Sequence, residues 1–425
     1  MKETKYRYRI LALLFFATTI NYLDRSVLGV LAPTLRDKVF GWSMEDYSYI
    51  TIAFQLSYAM GLPWMGNLVD RWGARKGYAL SIAIWSFFNL AHALVRPAFS
   101  LIGFTLVRFG LGLGESGNFP ACAKAITEWF PPQQRAFATG VVNAGTNLGA
   151  ILAPTLVPLV VSDDGERWPL AFLMSTALSL LWLLVWLRTY RRPEEDPRVN
   201  ELELRKIQSG QPPEIPQKIS WRAILPCRET WAFALMKTTD AVWWFYLFWG
   251  GIFLADQFKL SVSGLGLPLI IVFAAADVGS LFGGWLSGFL MSRGWSTNRA
   301  RKLTLLLCVG AVFPQSFMTW TQQPELAMLL MALAAAGHQA WSVNIFTMVS
   351  DLFPKKAVAS VIGFGGMVGS LATLVAFLTL GKILETGHGE SYFFPFLIAG
   401  SIYPLTLLGA HLLTPKMTLV RLREE

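Results

Sequence analysis

Leu106–Ala121 reads LVRFGLGLGESGNFPA, an apolar run with Arg108 and Glu115 in its middle. Residues seven apart on one α-helix are two turns apart, so both side chains leave the same face. Gly110, Gly112, Gly114 and Gly117 leave little bulk around the two charges. If this segment crosses a bilayer, each charge costs about 3 kcal/mol or more unless it faces a wet cavity or a partner. The fold therefore turns on whether the segment crosses one.

The rest of the chain says that it does. Of 425 residues, 54% are hydrophobic and only 15% are charged, and the mean hydropathy is +0.45. A soluble domain carries about 25% charged residues. Apolar stretches of about 20 residues, each long enough to span hydrocarbon, recur from end to end. The alternating segments of about 10 residues that make a transmembrane β-barrel do not occur. The sequence predicts an all-α membrane protein. Cys122, Cys227 and Cys308 are scattered, as are the four histidines. Their spacing predicts no disulfide framework, no metal site and no cofactor. The first apolar run contains Asp24 and Arg25 and no small-residue cleavage site follows it, so it reads as a retained span and not a signal peptide.

Twelve candidate spans follow: 9–31, 47–68, 77–95, 99–123, 135–160, 168–189, 230–254, 265–290, 303–321, 325–349, 357–380 and 391–413. The polar stretch 191–228, with PEEDPR, LELRK and QPPEIPQK, splits them six plus six. It reads as a cytoplasmic linker with a short amphipathic helix around Arg198–Ser209. The expected domains are a six-helix bundle over 1–190, this linker, and a second six-helix bundle with a short tail over 229–425. With the N-terminus inside, Lys2, Lys5, Arg7, Arg9, Arg71, Arg75, Lys76, Arg135, the linker, Arg293, Arg299, Arg301, Lys302, Lys355, Lys356 and the tail fall on one side. The other side holds Arg36, Lys38, Arg96, Arg167, Lys259 and Lys382. That positive-inside bias predicts both termini in the cytoplasm. It also accounts for most of the net charge of +9 without nucleic acid. TEWFPPQQRAFATG (Thr127–Gly140) and SDLFPKKAVASVIG (Ser350–Gly363) repeat weakly, each after an even-numbered span. Parallel repeats with a site at their interface are a transporter signature.

Gly66–Lys76 reads GNLVDRWGARK, between spans two and three. This resembles the loop signature G-x-x-x-D-R-x-G-x-R-R/K of the major facilitator superfamily, matched at Gly66, Asp70, Arg71, Gly73, Arg75 and Lys76. Physically it is a tight turn. Gly66 permits close helix packing, and Asp70 can accept the N-terminus of a neighbouring helix or an arginine fork. The resemblance implies a conformational latch. The second copy around Gly283–Lys302 lacks the Asp-Arg pair.

Asn21–Arg25 reads NYLDR inside span one, with Asn21 and Arg25 on one face and Asp24 about 100° away. Together with RFGLGLGESGNFPA and EWFPPQQRAFATG it resembles the anion:cation symporter group of that superfamily. The group includes bacterial hexuronate and galactonate transporters and animal sialic-acid and vesicular glutamate transporters. The resemblance covers nearly the whole chain. It implies that Arg25 contacts the substrate carboxylate, that Asp24 and Glu115 carry protons, and that Arg108 tunes the glutamate. The physics agrees. Arginine is always charged and binds carboxylate through a planar fork. Burial pushes a carboxyl group toward its neutral form while a nearby arginine pulls it back, the balance a proton carrier needs. A static ion pair of Glu115 with Arg108 or Arg25 is the bland alternative.

Other positions stay open between two readings. Tyr58, in YAMGLP, matches the family's substrate-facing tyrosine or is a packed aromatic. Asn143, Thr146 and Asn147, in NAGTNLG, line a cavity or belong to a small-residue packing face. In span ten, GHQAWS places His338, Gln339 and Ser342 together; it resembles the hexuronate branch and implies hydroxyl recognition, against a satisfied interface histidine. Lys237, Asp240 and Asp277 carry no assigned role. The hexuronate members can lack the span-one aspartate, whereas Asp24 precedes Arg25 here, as in galactonate-like members. The expected function is therefore proton-coupled import of a sugar-acid anion by alternating access, hexuronate first, an aldonate or aldarate second. The expected place is the bacterial inner membrane, as a monomer. No nucleophile–base pair or metal spacing supports a membrane enzyme, and two cavity arginines disfavour efflux of apolar drugs.

Overall fold

The computed structural model describes residues 3–161, 166–210, 221–258, 266–386, 392–420 and 422. Lys2, the linker segment 211–218 and Lys259, all used above, lie outside them. Among the described residues the regular structure is helical: α1 Arg7–Thr34, α2 Met44–His92, α3 Ser100–Glu115, α4 Asn118–Trp129, α5 Pro132–Val160, α6 Trp168–Thr189, α7 Glu201–Gln208, α8 Trp221–Ile224, α9 Arg228–Lys237, α10 Asp240–Phe258, α11 Gly266–Ser292, α12 Thr297–Val312, α13 Pro324–Leu352, α14 Val358–Thr386 and α15 Phe393–Leu413. Nine helical stretches among them are long and apolar enough to cross a membrane. Leu94, Ile102, Leu106, Leu159, Leu181 and Leu412 are each more than half exposed, the surface of a chain whose solvent is lipid and not water.

Three differences from the sequence reading concern continuity. Spans two and three form one long helix, α2, started by a Ser43–Asp46 capping box and interrupted only at Gly73 (φ 80°, ψ 165°). That left-handed φ is open to glycine and costly for other residues. Span four, expected as one helix, is two: α3 ends at Glu115 and α4 begins at Asn118. Span seven is likewise broken, between Lys237 and Asp240. With α2 carrying two crossings, and α3–α4 and α9–α10 one each, the helices make twelve crossings.

The chain forms two compact units. One comprises Met1–Pro131, Val141–Lys218 and Lys355–Met367; the other comprises Pro132–Gly140, Ile219–Pro354 and Val368–Glu425. The start of α5 thus packs with the second half of the sequence and the start of α14 with the first. The first unit has an aromatic cluster at one end, where Leu31, Leu35, Trp42, Phe104, Trp168 and Phe172 are all buried. Its other end is tied to the linker. Glu203 of α7 is fully buried and accepts the Tyr6 and Arg7 backbone N–H groups (2.8 and 3.0 Å), the Thr4 hydroxyl (2.6 Å) and the Arg7 guanidinium (3.1 Å). A carboxylate from the linker therefore caps the N-terminus of α1. Beside it, burial pushes the Asp196 carboxyl up, but the guanidinium and backbone N–H of Arg198 outweigh this and hold it below the usual carboxylate range.

In the second unit Asp351, at the end of α13, accepts from Arg301 Nε (2.9 Å) and lies 3.9 Å from Arg135 Nη1. Arg135 also donates to the Ser350 carbonyl (2.7 Å). A cation from α12 and one from the start of α5 thus converge on one carboxylate, where the sequence offered no second Asp-Arg turn.

Candidate functional site

In the first unit α3 lies against α2 closely enough that a Cβ on Gly112 would meet Ser57 Oγ at 2.2 Å and the Phe54 carbonyl at 2.6 Å. Only glycine admits that approach. It places Glu115, the last residue of α3, beside Phe54 and Tyr58 of α2. From α1, Arg25 reaches the same point. Its Nε donates to Glu115 Oε2 at 2.9 Å, and its Nη2 lies 2.9 Å from the same oxygen. Its guanidinium carbon sits 4.7 Å from the Tyr22 ring centre, 5.0 Å from Phe54 and 4.9 Å from Tyr58. Aromatic faces stabilise a cation without competing for its donors. Glu115 is fully buried, and its Oε1 has no hydrogen-bond partner among the described residues.

Arg108 does not pair with Glu115, although the two share a helix face. It donates from Nη2 to the Arg25 carbonyl (3.2 Å), sits 5.5 Å from the Phe54 ring, and its Nε has no partner among the described residues. Asp24 turns away from both arginines. It accepts from Ser179 (2.6 Å) and Asn89 (3.0 Å), between α1, α2 and α6. The first unit so holds two guanidiniums and two carboxyl groups close together, with Arg108 Nε and Glu115 Oε1 left without hydrogen-bond partners among the described residues. Neutralising either carboxyl leaves net positive charge, which attracts an anion.

The remaining expected residues fall into three groups. Asn143 and Thr146 are buried on α5 in the first unit, where the Thr146 hydroxyl donates to the Asn143 carbonyl (2.7 Å) and keeps its oxygen as an acceptor. His338, Gln339 and Ser342 are buried on α13 in the second unit. The His338 ring stacks on Trp243 (5.5 Å, 7°) and its Nδ1 bonds the Tyr403 hydroxyl, so three elements fix this histidine. The Lys237–Asp240 ion pair sits at the α9–α10 break, each charge at the helix end whose dipole favours it. An apolar cavity of about 560 Å³ opens nearby, lined by Thr238, Val242, Phe245, Val368, Leu371 and Ile402. Its lining has no charged group to hold an acid.

The third group is the loop signature. Asp70 Oδ2 accepts the Ser360 N–H (2.6 Å), and Oδ1 the Ala359 N–H (3.3 Å) and Lys124 Nζ (3.1 Å). Lys124 also donates to the Lys355 carbonyl. A Cβ on Gly66 would meet the Ala359 carbonyl at 2.3 Å. Arg75 donates to the Leu187 carbonyl (2.6 Å), while Arg71 and Lys76 are exposed. The sequence reading missed Asn89, Ser179, Tyr22, Phe54, Lys124 and Glu203. Asn89 and Ser179 carried a signal, as polar residues inside apolar spans; Tyr22 stood in the NYLDR motif without a role of its own, and Phe54 carried none.

A family model described as Major Facilitator Superfamily matches residues 14–377. A hexuronate transporter of Escherichia coli K12 is 32% identical over 388 residues, covering 89% of this chain and 88% of its own. A D-galactonate transporter of Escherichia coli CFT073 is 28% identical, covering 96% and 95%. Among solved structures, the proton:xylose symporter XylE superposes with a TM-score of 0.74 at 13% identity, over 96% of this chain and 95% of that one.

Proposed function

This chain belongs to the major facilitator superfamily, and from that premise we propose that it imports a sugar-acid anion together with protons by alternating access. The substrate is a hexuronate in the first instance, and the membrane is the bacterial inner membrane, with both termini cytoplasmic. The observation that carries the reading is the Arg25–Glu115 pair in its aromatic cage. Arg25 is the substrate clamp, and in this structure Glu115 occupies it. A proton arriving at Glu115 cancels the carboxylate charge and releases the guanidinium, whose fork then takes the substrate carboxylate. Proton and substrate thus load together because a carboxylate on either side competes for one cation. Arg108 keeps the site electropositive and holds the Arg25 backbone; Tyr58 supports the clamp. Asp24 is a second proton site. Asn143, Thr146, His338, Gln339 and Ser342 are assigned to the sugar hydroxyls. Gly66, Asp70, Arg71, Gly73, Arg75 and Lys76 are assigned to a conformational latch.

A second reading, an aldonate or aldarate as substrate, is favoured by Asp24 preceding Arg25 and by the galactonate relative, which aligns over nearly its full length. The test is uptake into proteoliposomes under an inward proton gradient, with labelled galacturonate, glucuronate, galactonate and glucarate. Galacturonate or glucuronate accumulates most; galactonate or glucarate accumulation selects the second reading. Absence of gradient-driven uptake for all four overturns both. Glu115→Gln mimics the protonated acid. It should abolish gradient-driven accumulation while substrate counterflow persists, and unchanged accumulation removes Glu115 from coupling.

A further inference from the structure

We propose that Asn89 is a positioning residue for the proton on Asp24, serving the ionised carboxylate with its amide N–H and the protonated acid with its carbonyl oxygen. The proposal rests on Asp24 as a proton site.

Asp24, Asn89, Ser175 and Ser179 are all fully buried. Both Asp24 oxygens are accepting: Oδ2 from the Ser179 hydroxyl at 2.6 Å, Oδ1 from Asn89 Nδ2 at 3.0 Å. The Trp85 indole N–H donates to Ser179 Oγ at 3.2 Å, which turns that hydroxyl's own hydrogen toward Asp24. Among the described residues no cation lies within ion-pair distance of Asp24. The charged and titratable groups around it are Arg25 from α1, Arg108 and Glu115 from α3, and His92, one turn beyond Asn89 on α2. α6 offers hydroxyls alone at this level. A buried carboxyl held by neutral donors alone depends on each of them to satisfy its oxygens.

The two protonation states have opposite needs. A carboxylate only accepts, whereas the acid must also donate one hydrogen. Asn89 is equipped for both. Its Nδ2 lies within hydrogen-bond distance of three oxygens, Asp24 Oδ1, Ser175 Oγ (2.8 Å) and Thr176 Oγ1 (3.1 Å), and carries two hydrogens. Its own Oδ1 is buried without a hydrogen-bond partner among the described residues. Rotating the amide by half a turn brings that unused acceptor to Asp24, where it takes the acid's hydrogen.

The experiment compares the pH dependence of gradient-driven uptake for the wild type, Asn89→Leu and Asn89→Ser, each alone and with Asp24→Asn. Asn89→Leu fills the site but neither donates nor accepts. The ionised form loses more than the neutral one, because a donor to a charged group is the stronger bond, so the pH midpoint rises by about one unit. Asn89→Ser leaves a gap but both donates and accepts, and moves the midpoint back toward the wild type. Packing alone demands the reverse order, with Leu the milder change. In Asp24→Asn the Asn89 effect disappears. An unshifted midpoint in Asn89→Leu, a larger shift in Asn89→Ser, or the same shift without Asp24 overturns the proposal. If the wild type shows no gradient-driven uptake, the transport reading fails instead. The infrared carboxyl band assigned by Asp24→Asn then reads the proposal directly: its titration midpoint moves in Asn89→Leu, or the proposal falls with it.

Discussion

Arg25 is held by shape as much as by charge. Three rings face its guanidinium within 5.0 Å, and two of its nitrogens address one oxygen of Glu115. A lysine supplies the charge but neither the flat faces nor the fork. Arg25→Lys should therefore raise the half-saturating substrate concentration roughly 30-fold, about 2 kcal/mol, with the protein still folded. A change under threefold would show that any cation suffices. Tyr58→Phe keeps the ring and should leave transport near normal, whereas Tyr58→Ala loses about 1 kcal/mol of cation–π support. A deficit in Tyr58→Phe as large as in Tyr58→Ala would assign the role to the hydroxyl. At this scale the sequence showed which groups were unusual but not how they pair. Charges in apolar spans are conspicuous because they are costly. The i,i+7 spacing made Arg108 the natural neighbour of Glu115, yet a long side chain from α1 reaches the carboxylate instead. Asn89 carries no charge, and its meaning depends on Ser179 and Asp24, far away in sequence.

At the scale of elements, hydropathy marks where helices cross but not where they break. The α3–α4 break after Glu115 and the α9–α10 break after Lys237 leave composition unchanged, so a window average runs through them. Both place ionisable groups at helix ends, the pattern of discontinuous helices at transporter sites. The linker shows the converse. A helix was expected around Arg198–Ser209 and α7 occupies Glu201–Gln208, but amphipathicity cannot say which residue docks or where. Glu203 docks, and its partners lie at the other end of the bundle's sequence, at Thr4, Tyr6 and Arg7. Glu203→Ala removes an N-terminal cap and leaves Arg7, 1% exposed, with Glu3 as its remaining counter-ion. The expected loss is about 3 kcal/mol, read as a lower thermal-unfolding midpoint in detergent. Glu203→Gln, whose single carbonyl oxygen still accepts one of the two N–H groups, should fall between. Equal melting of all three proteins would mean that α7 contributes nothing to holding α1.

At the scale of the molecule, twelve crossings were legible because each must bury about 20 apolar residues. The membership of the two units was not, since the first turns of α5 and α14 each pack with the opposite half of the sequence. Asp70 shows what holds α14 in the first unit. One carboxylate satisfies two N–H groups at the start of that helix and neutralises Lys124, which is 3% exposed. Asp351 performs the matching service in the second unit, for Arg301 from α12 and Arg135 from α5. The acid is on the loop of one half and on the even-numbered span of the other, which is why the loop signature alone does not reveal the second cluster. If these clusters latch the transport cycle, their loss should act on turnover and not on the substrate site. Asp70→Asn keeps the shape but strands the Lys124 charge, costing about 3 kcal/mol of stability. Adding Lys124→Met removes the stranded charge and should restore much of that stability. Turnover should stay depressed in the double variant, because Ala359 and Ser360 still lack their anionic acceptor, while the half-saturating substrate concentration stays near that of the wild type. Recovery of turnover along with stability would reduce Asp70 to a counter-ion for Lys124, and a weakened substrate affinity would place its effect at the Arg25 site instead.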